Sequence, residues 1–275
     1  MRTIPDDFDP SALKAIDERL AAIRADEHVS ILLAVESGSR AWGFPSPDSD
    51  YDCRFIYVRR SNDYLSPWPK RDVIEDDPTG DLDVNGWDLG KALKLMLKGN
   101  AIVLEWLRSP IVYEGRAVFI DRIANLARAH ANRDAIARHY LHLGEGQRRT
   151  YFANEKQVRL KKFFYALRPA AALRWLRFHP SEPVPPMHFP TLMAECDPPA
   201  IVQRLSDELI AQKLQTRELG EAPLPPPIKD FVDSEFALGR EWIPERSKRL
   251  SSSAVFEAEA LFRDAVASDN STRSG

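Results

Sequence analysis

Residues 38–54 read GSRAWGFPSPDSDYDCR and constrain the fold more than any other stretch. A glycine-serine turn follows closely on residues 29–35 (VSILLAV), a run of the length and character of a central strand buried on both faces. Asp50 and Asp52 then stand one residue apart at the head of a second strand, 51–58. Alternate strand residues share a face, so the two carboxylates start roughly 7 Å apart. From such positions they can converge on two divalent ions about 4 Å apart, the arrangement used for in-line displacement at phosphorus. A plain solvated turn accounts for Asp48, but two carboxylates leading into CRFIYV repel each other unless a cation sits between them. Asp50 and Asp52 are therefore read as metal ligands.

Composition narrows the setting. A chain of 275 residues can form one large domain or two modest ones. Its net charge of −3 disfavours a wholly nucleic-acid-coating protein while leaving room for a local basic patch. Cys53 and Cys196 are far apart, without zinc-type spacing or a disulfide framework, which suits a reducing cytosol. The opening MRTIPDDFDP has no apolar run of a signal peptide, and no window of about 18 apolar residues occurs. The expected setting is cytoplasmic, without a membrane partner.

The pattern divides in two. Asp9-Pro10-Ser11 caps a helix running to about His28, with Leu13, Ile16, Leu20 and Ile23 on one face. Along 51–58, Cys53, Phe55 and Tyr57 alternate with Asp52, Arg54 and Ile56, and 59–70 reads as a loop. Weaker strands at 71–76 and 81–87 are joined through Asp77-Pro78-Thr79-Gly80. From Asp88, an N-cap, the period turns helical, with a break at Gly99-Asn100. Beyond 116, helical spacing predicts helices over 116–131, 133–152, 154–178, 198–218, 227–242 and 252–267, with a proline-rich connection at 180–190. The expectation is an α+β chain: a sheet domain with flanking helices over 1–115, a helical region over 116–267 and a disordered tail over 268–275.

Several motifs fail on inspection. Gly38 and Gly43 have P-loop spacing, but Phe44 and Pro45 replace the required Lys and Ser/Thr. An EF-hand starting at Asp48 needs Gly at 53 and Glu at 59, where Cys53 and Arg59 stand. His139 and His142 are three apart without a matching third ligand. The Gly38-Ser39 turn has two readings: a phosphate cradle of backbone amides and the Ser39 hydroxyl, or a plain strand-to-helix connection. Arg40 and Arg54 are placed to approach phosphate oxygens, though Arg54 shares the parity of the aspartates and can pair with them. Trp42 and Phe44 either brace the turn or stack on a base. Glu105-Trp106 is expected at a domain interface.

Between 147 and 179 there are nine basic residues and one acid, Glu155, with Tyr151, Phe163, Phe164 and Tyr165 interleaved. Solvated faces usually mix signs at four-residue spacing, and this stretch does not. Lys161, Tyr165 and Arg168 fall at i, i+4 and i+7, on one helix face that can meet a triphosphate and its base. The stretch is read as a nucleotide or RNA contact.

Gly38-Ser39 followed by Asp50-x-Asp52 resembles the signature of the polymerase-beta-type nucleotidyltransferase superfamily. GSRAWGFPSPDSDYDCRFIYVR, with DLDVNGWDLGKALKLMLKGNAIVLEWLRSPIVY downstream, resembles its branch associated with RNA ligases and RNA repair, over about residues 30–178. The resemblance implies a third acid within an apolar–acid–apolar triplet, which Leu82-Asp83-Val84 supplies; Asp81 is the runner-up. It further implies two Mg²⁺ or Mn²⁺ ions on Asp50, Asp52 and Asp83, and an NTP held by Gly38, Ser39, Arg40, Lys161, Tyr165 and Arg168. The implied reaction moves a nucleoside monophosphate to an acceptor hydroxyl, an RNA end, with release of pyrophosphate. Nucleotidylation of a protein or small molecule, and a non-catalytic nucleotide- or RNA-binding module, are the alternatives.

Overall fold

The structure, a computed structural model, describes residues 1–75, 80–152, 157–215, 220–245 and 249–273, with backbone alone at 161 and 269–273. Helix α1 (Pro10–Glu27) starts where Asp9 accepts a hydrogen bond from the Ser11 amide at 2.8 Å, and buries Ile16, Leu20 and Ile23. Strand β1 (Ser30–Glu36) is buried at every position, as its apolar run requires. The short helix α2 (Gly38–Ala41) leads through an irregular loop to β2 (Tyr51–Val58). A single helical turn, α3 (Ser61–Tyr64), interrupts the stretch expected to be loop. Strands β3 (Val73–Glu75) and β4 (Leu82–Asp88) pair antiparallel; Asp77, Pro78 and Thr79 of the expected turn lie outside the described residues. Asp88 then caps α4 (Leu89–Leu97) through the Gly90 amide, and Asn100 caps α5 (Ala101–Trp106) through Ile102. Strand β5 (Val112–Gly115) completes the sheet. Its four residues give no alternation long enough to recognise, and only pairing with β1 defines it.

The sheet runs β3-β4-β2-β1-β5, with β2 and β4 parallel and the other neighbours antiparallel. Alternation assigns its faces. Cys53, Phe55, Tyr57 and Val84 pack with the apolar stripe of α1, whereas Ile56 and Val58 join a larger core on the other side. Asp52, Arg54, Asp83 and Asn85 have the opposite parity to Cys53 and Val84 and face the helices.

The rest is helical: α6 (Ala117–His130), α7 (Arg133–Tyr151), α8 (Leu160–Phe178), α9 (Phe189–Cys196), α10 (Ala200–Gln215), α11 (Pro226–Trp242) and α12 (Ser252–Arg273). Two short strands, β6 (Val158–Arg159) and β7 (Glu221–Ala222), pair antiparallel before α8 and α11. Helix α9 emerges from the end of the proline-rich connection because Pro190 occupies its first turn, where the missing amide hydrogen costs nothing. Helix α12 carries helical backbone on to Arg273, into the stretch from 268 read from the sequence as a tail. At Gly144 a Cβ would lie 2.4 Å from the Phe236 ring and 2.9 Å from Pro169, so a bare backbone here lets α7, α8 and α11 close on one another. One hydrophobic core runs from Leu32 of β1 to Val266 of α12, continuing across the expected boundary at 115/116 between β5 and α6. Among the described residues no helix is long and apolar enough to cross a membrane.

Candidate active site

Parallel pairing of β2 and β4 puts Asp52 opposite Asp83 and Arg54 opposite Asn85. The two carboxylates therefore meet on the helix-facing side, and Arg54 lies between them. Its Nη2 donates to Asp52 Oδ1 at 3.0 Å and to Asp83 Oδ2 at 2.7 Å, while Nη1 donates to the carbonyls of Asp83 and Cys53 at 3.0 and 3.1 Å. Asn85 Nδ2 donates to Asp83 Oδ1. Burial raises the Asp52 carboxyl above its ordinary pKa, Arg54 draws it back, and the charges of Asp83 and Asp50 push it further up. Asp50 itself is exposed at the end of the loop, near enough to act on Asp52 through its charge. Asp81 is exposed and contributes its backbone carbonyl to the Tyr51 amide at 2.7 Å, so Asp83 rather than Asp81 joins the group.

The turn sits against this pair. Gly38 has φ +63°, and a Cβ there would lie 2.1 Å from Asp52 Oδ2; glycine alone permits so close an approach. Ser39 donates to the Ser49 hydroxyl at 3.0 Å. Arg40 donates to the carbonyls of Ser49 at 2.7 Å and Asp50 at 3.1 Å, with its guanidinium 3.8 Å from the Tyr51 ring centroid. Both side chains thus brace the loop that delivers Asp50. From the other side Phe44 stacks on Phe164 with centroids 4.4 Å apart, and the Phe189 amide donates to the Trp42 carbonyl at 2.9 Å. Phe44 packs into the core here, and the Trp42 side chain stands in the wall of the neighbouring cavity.

A cavity of about 600 Å³ opens between Asp52 and the helices. Asp52, Arg54, Trp87, Trp106, Gln147 and Tyr165 are among its lining residues, and Gly38 and Arg168 reach it too. Arg168 is 4% exposed, paired with Glu105 Oε1 at 3.0 Å and 4.8 Å from the Trp42 ring. The same Glu105 oxygen accepts the Tyr140 hydroxyl at 2.8 Å, so Glu105 of α5 bonds to both α7 and α8. The sequence expectation thus has Tyr165 and Arg168 at one cavity with Asp52; the side chain of Lys161 lies outside the described ones.

Residues 13–264 match the family described as RlaP, RNA repair pathway DNA polymerase beta family. The chain belongs to this family. The match starts in α1 and ends in α12, so sheet and helices alike fall within the RlaP unit. A Bacillus subtilis (strain 168) protein, named "Uncharacterized protein YcgL", is 38% identical over 237 residues, covering 86% of this chain and 88% of that one.

Polymerase-beta-like nucleotidyltransferases use divalent metals, and the donor chemistry at the RlaP site fits them. Asp52 and Asp83 are hard oxygen donors brought side by side, and the chain already neutralises them with one cation, Arg54. Among the described residues no three His, Cys, Asp or Glu side chains group closely enough to hold an ion alone. Magnesium does not require it: one or two carboxylates, waters and substrate phosphates make its usual shell.

The basic stretch, which has no acids at four-residue spacing, finds partners on other elements. Across helices, Arg148 pairs with Asp233, and Arg174 and Arg177 with Glu235 (3.0 and 2.9 Å); between the strands β6 and β7, Arg159 pairs with Glu221 (3.5 Å). The acids come from distant sequence, so spacing along one helix does not reveal them.

Glu36 is a site residue that the motifs do not single out. The last residue of β1, it has no solvent exposure; its Oε1 accepts the Asp52 amide at 3.0 Å and its Oε2 accepts the Tyr113 hydroxyl. A charged residue closing an apolar strand just before the turn was the available signal. Burial pushes its pKa from 4.5 up to about 8, and the bonds from Tyr113 and Asp52 lower it only in part. A carboxyl raised in the folded state contributes stability that is full below about pH 4.5 and is lost as pH rises through about 8. Glu36→Gln keeps an acceptor for the Asp52 amide and has no proton to release. Urea unfolding should show the variant gaining on wild type across that window, by on the order of 4 kcal/mol at its upper end. A variant that loses ground to wild type on going from pH 5 to pH 8.5 contradicts this account.

Proposed function

We propose that this RlaP-family protein is a metal-dependent nucleotidyltransferase that moves a nucleoside monophosphate from an NTP to the hydroxyl of an RNA end. The observation that carries the reading is the in-register meeting of Asp52 and Asp83 beneath a cavity that also reaches the Gly38 turn and the aromatic wall of α8. In this reading residues 1–115 are catalytic and 116–267 bind nucleotide and acceptor. The amides at Gly38 and Ser39 hold the triphosphate, Arg40 fixes the loop that carries Asp50, and Tyr165 and Trp87 flank the base. Lys161 and Arg168 complete the nucleotide-binding set expected from the sequence, Arg168 by keeping the cavity wall in place. Asp50, Asp52 and Asp83 hold Mg²⁺ or Mn²⁺, which supplies Lewis-acid stabilisation of the phosphate oxygens. Asp83 accepts the proton of the attacking hydroxyl. The acceptor oxygen bonds to the α-phosphorus while the bond to the bridging oxygen breaks, and pyrophosphate leaves with that electron pair. Holding the two reactants in one cavity provides much of the acceleration.

A second reading, nucleotidylation of a protein or small molecule, is favoured by the cross-helix ion pairs, which neutralise much of the basic face that an RNA would use. Incubation of the purified protein with each α-labelled NTP, Mg²⁺ or Mn²⁺, and tRNA, cellular protein or buffer separates the readings. Label on RNA is the expected result, and label on protein favours the second. Measurable NTP binding with no transfer to any acceptor makes the chain a non-catalytic nucleotide-binding module.

A further inference from the structure

Arg54 lies where a cation shared by Asp52 and Asp83 would have to be. Its Nη2 is within hydrogen-bond distance of both carboxylates, at 3.0 and 2.7 Å, and the side chain is 19% exposed at the cavity floor. The Nη1 bonds to the Cys53 and Asp83 carbonyls, 3.1 and 3.0 Å, fix the guanidinium there rather than letting it sweep the cavity. Arginine suits this post because its planar fork serves two carbonyls and two carboxylates at once and stays charged at any working pH. A divalent ion entering between the carboxylates meets a like charge in a half-buried place, where repulsion is poorly screened. The phosphates of an arriving nucleotide offer Arg54 a replacement for the carboxylates it gives up, since guanidinium pairs with phosphate as it does with carboxylate.

We propose that Arg54 is an internal counter-ion that holds divalent cations off Asp52 and Asp83 until a triphosphate draws its guanidinium away, so that cation and nucleotide bind as a coupled pair. This rests on the metal-dependent reading above. It makes the two affinities rise together, as any coupling free energy between sites must.

Mn²⁺ binding to the full chain, read from the paramagnetic resonance signal of the free ion, tests it without recourse to activity. R54Q is expected to bind Mn²⁺ alone at least tenfold tighter than wild type. Without metal it should melt below wild type, because two carboxylates lose their shared partner, and Mn²⁺ should restore its melting temperature. R54K, whose single ammonium cannot serve all four acceptors, is expected to fall between the two. An R54Q protein that binds Mn²⁺ no tighter than wild type overturns the counter-ion role. If R54Q does not fold, R54K decides, and an affinity equal to wild type is the overturning result. Addition of D52N to R54Q tells the inference from its foundation: tight binding that survives this change places the ion elsewhere, and then the metal-site reading itself falls.

Discussion

Asp52→Asn should lower nucleotidyl transfer by about 10²–10³-fold, the scale seen when one preorganised transition-state-stabilising group is removed, while leaving the melting temperature within a few degrees of wild type. Both halves follow from the geometry. Asn is isosteric, so the Glu36 bond to the backbone amide at 52 and the contact beneath Gly38 remain. Arg54 keeps Asp83 at 2.7 Å and its two carbonyl partners. Burial already raises the Asp52 pKa, so the fold disfavours its ionised form, and a neutral amide relieves that burden. What Asn lacks is the negative charge next to the carboxylate of Asp83. Transfer of label from α-labelled NTP, with calorimetric melting as the control, measures the two effects separately. Full activity in the variant removes Asp52 from the chemistry, whereas loss of folding makes its role structural.

Local chemistry was legible in the chain. The run at 29–35 gave a central strand because burial on both faces leaves room for no polar residue but Ser30. The alternation at 52–57 gave its faces, and Asp9, Asp88 and Asn100 gave caps because each side chain reaches an otherwise unpaired amide. The meeting of Asp52 with Asp83 was legible only through resemblance, since strand register between distant segments is set by the assembled sheet. Glu36 escaped for a related reason. A lone acid in an apolar run signals nothing until the Tyr113 hydroxyl and the Asp52 amide, far away in sequence, converge on it. The ion pairs of the basic stretch were not legible because i, i+4 spacing samples one helix, and the partners Asp233 and Glu235 lie on α11. Short elements such as β5 and α9 owe their conformation to what they pack on, which propensity does not carry.

The largest stability effect should come from a buried ion pair in the wall of the cavity. Glu105→Ala leaves Arg168, 4% exposed, without its carboxylate partner, and the Tyr140 hydroxyl loses its acceptor as well. Breaking a buried ion pair from one side costs about 3–5 kcal/mol, because the remaining charge stays desolvated. At about 2–4 °C per kcal/mol for chains of this size or slightly smaller, a fall in melting temperature on the order of 10 °C is expected. The double variant Glu105→Ala, Arg168→Met removes the stranded charge and should recover much of the loss, as apolar replacements of buried pairs do. Melting curves of the three proteins decide it; a single variant within 1 °C of wild type shows that the pair contributes nothing. The pair also bears on the site. Glu105 belongs to α5 on the sheet side, Tyr140 and Arg168 to α7 and α8, and the guanidinium lies against Trp42 of the loop that follows the Gly38 turn. With both Glu105 and Arg168 lining the cavity, loosening this joint should weaken NTP binding at temperatures where the variant is still folded. Stability and substrate affinity then fall together, because one buried contact holds the cavity wall to the sheet.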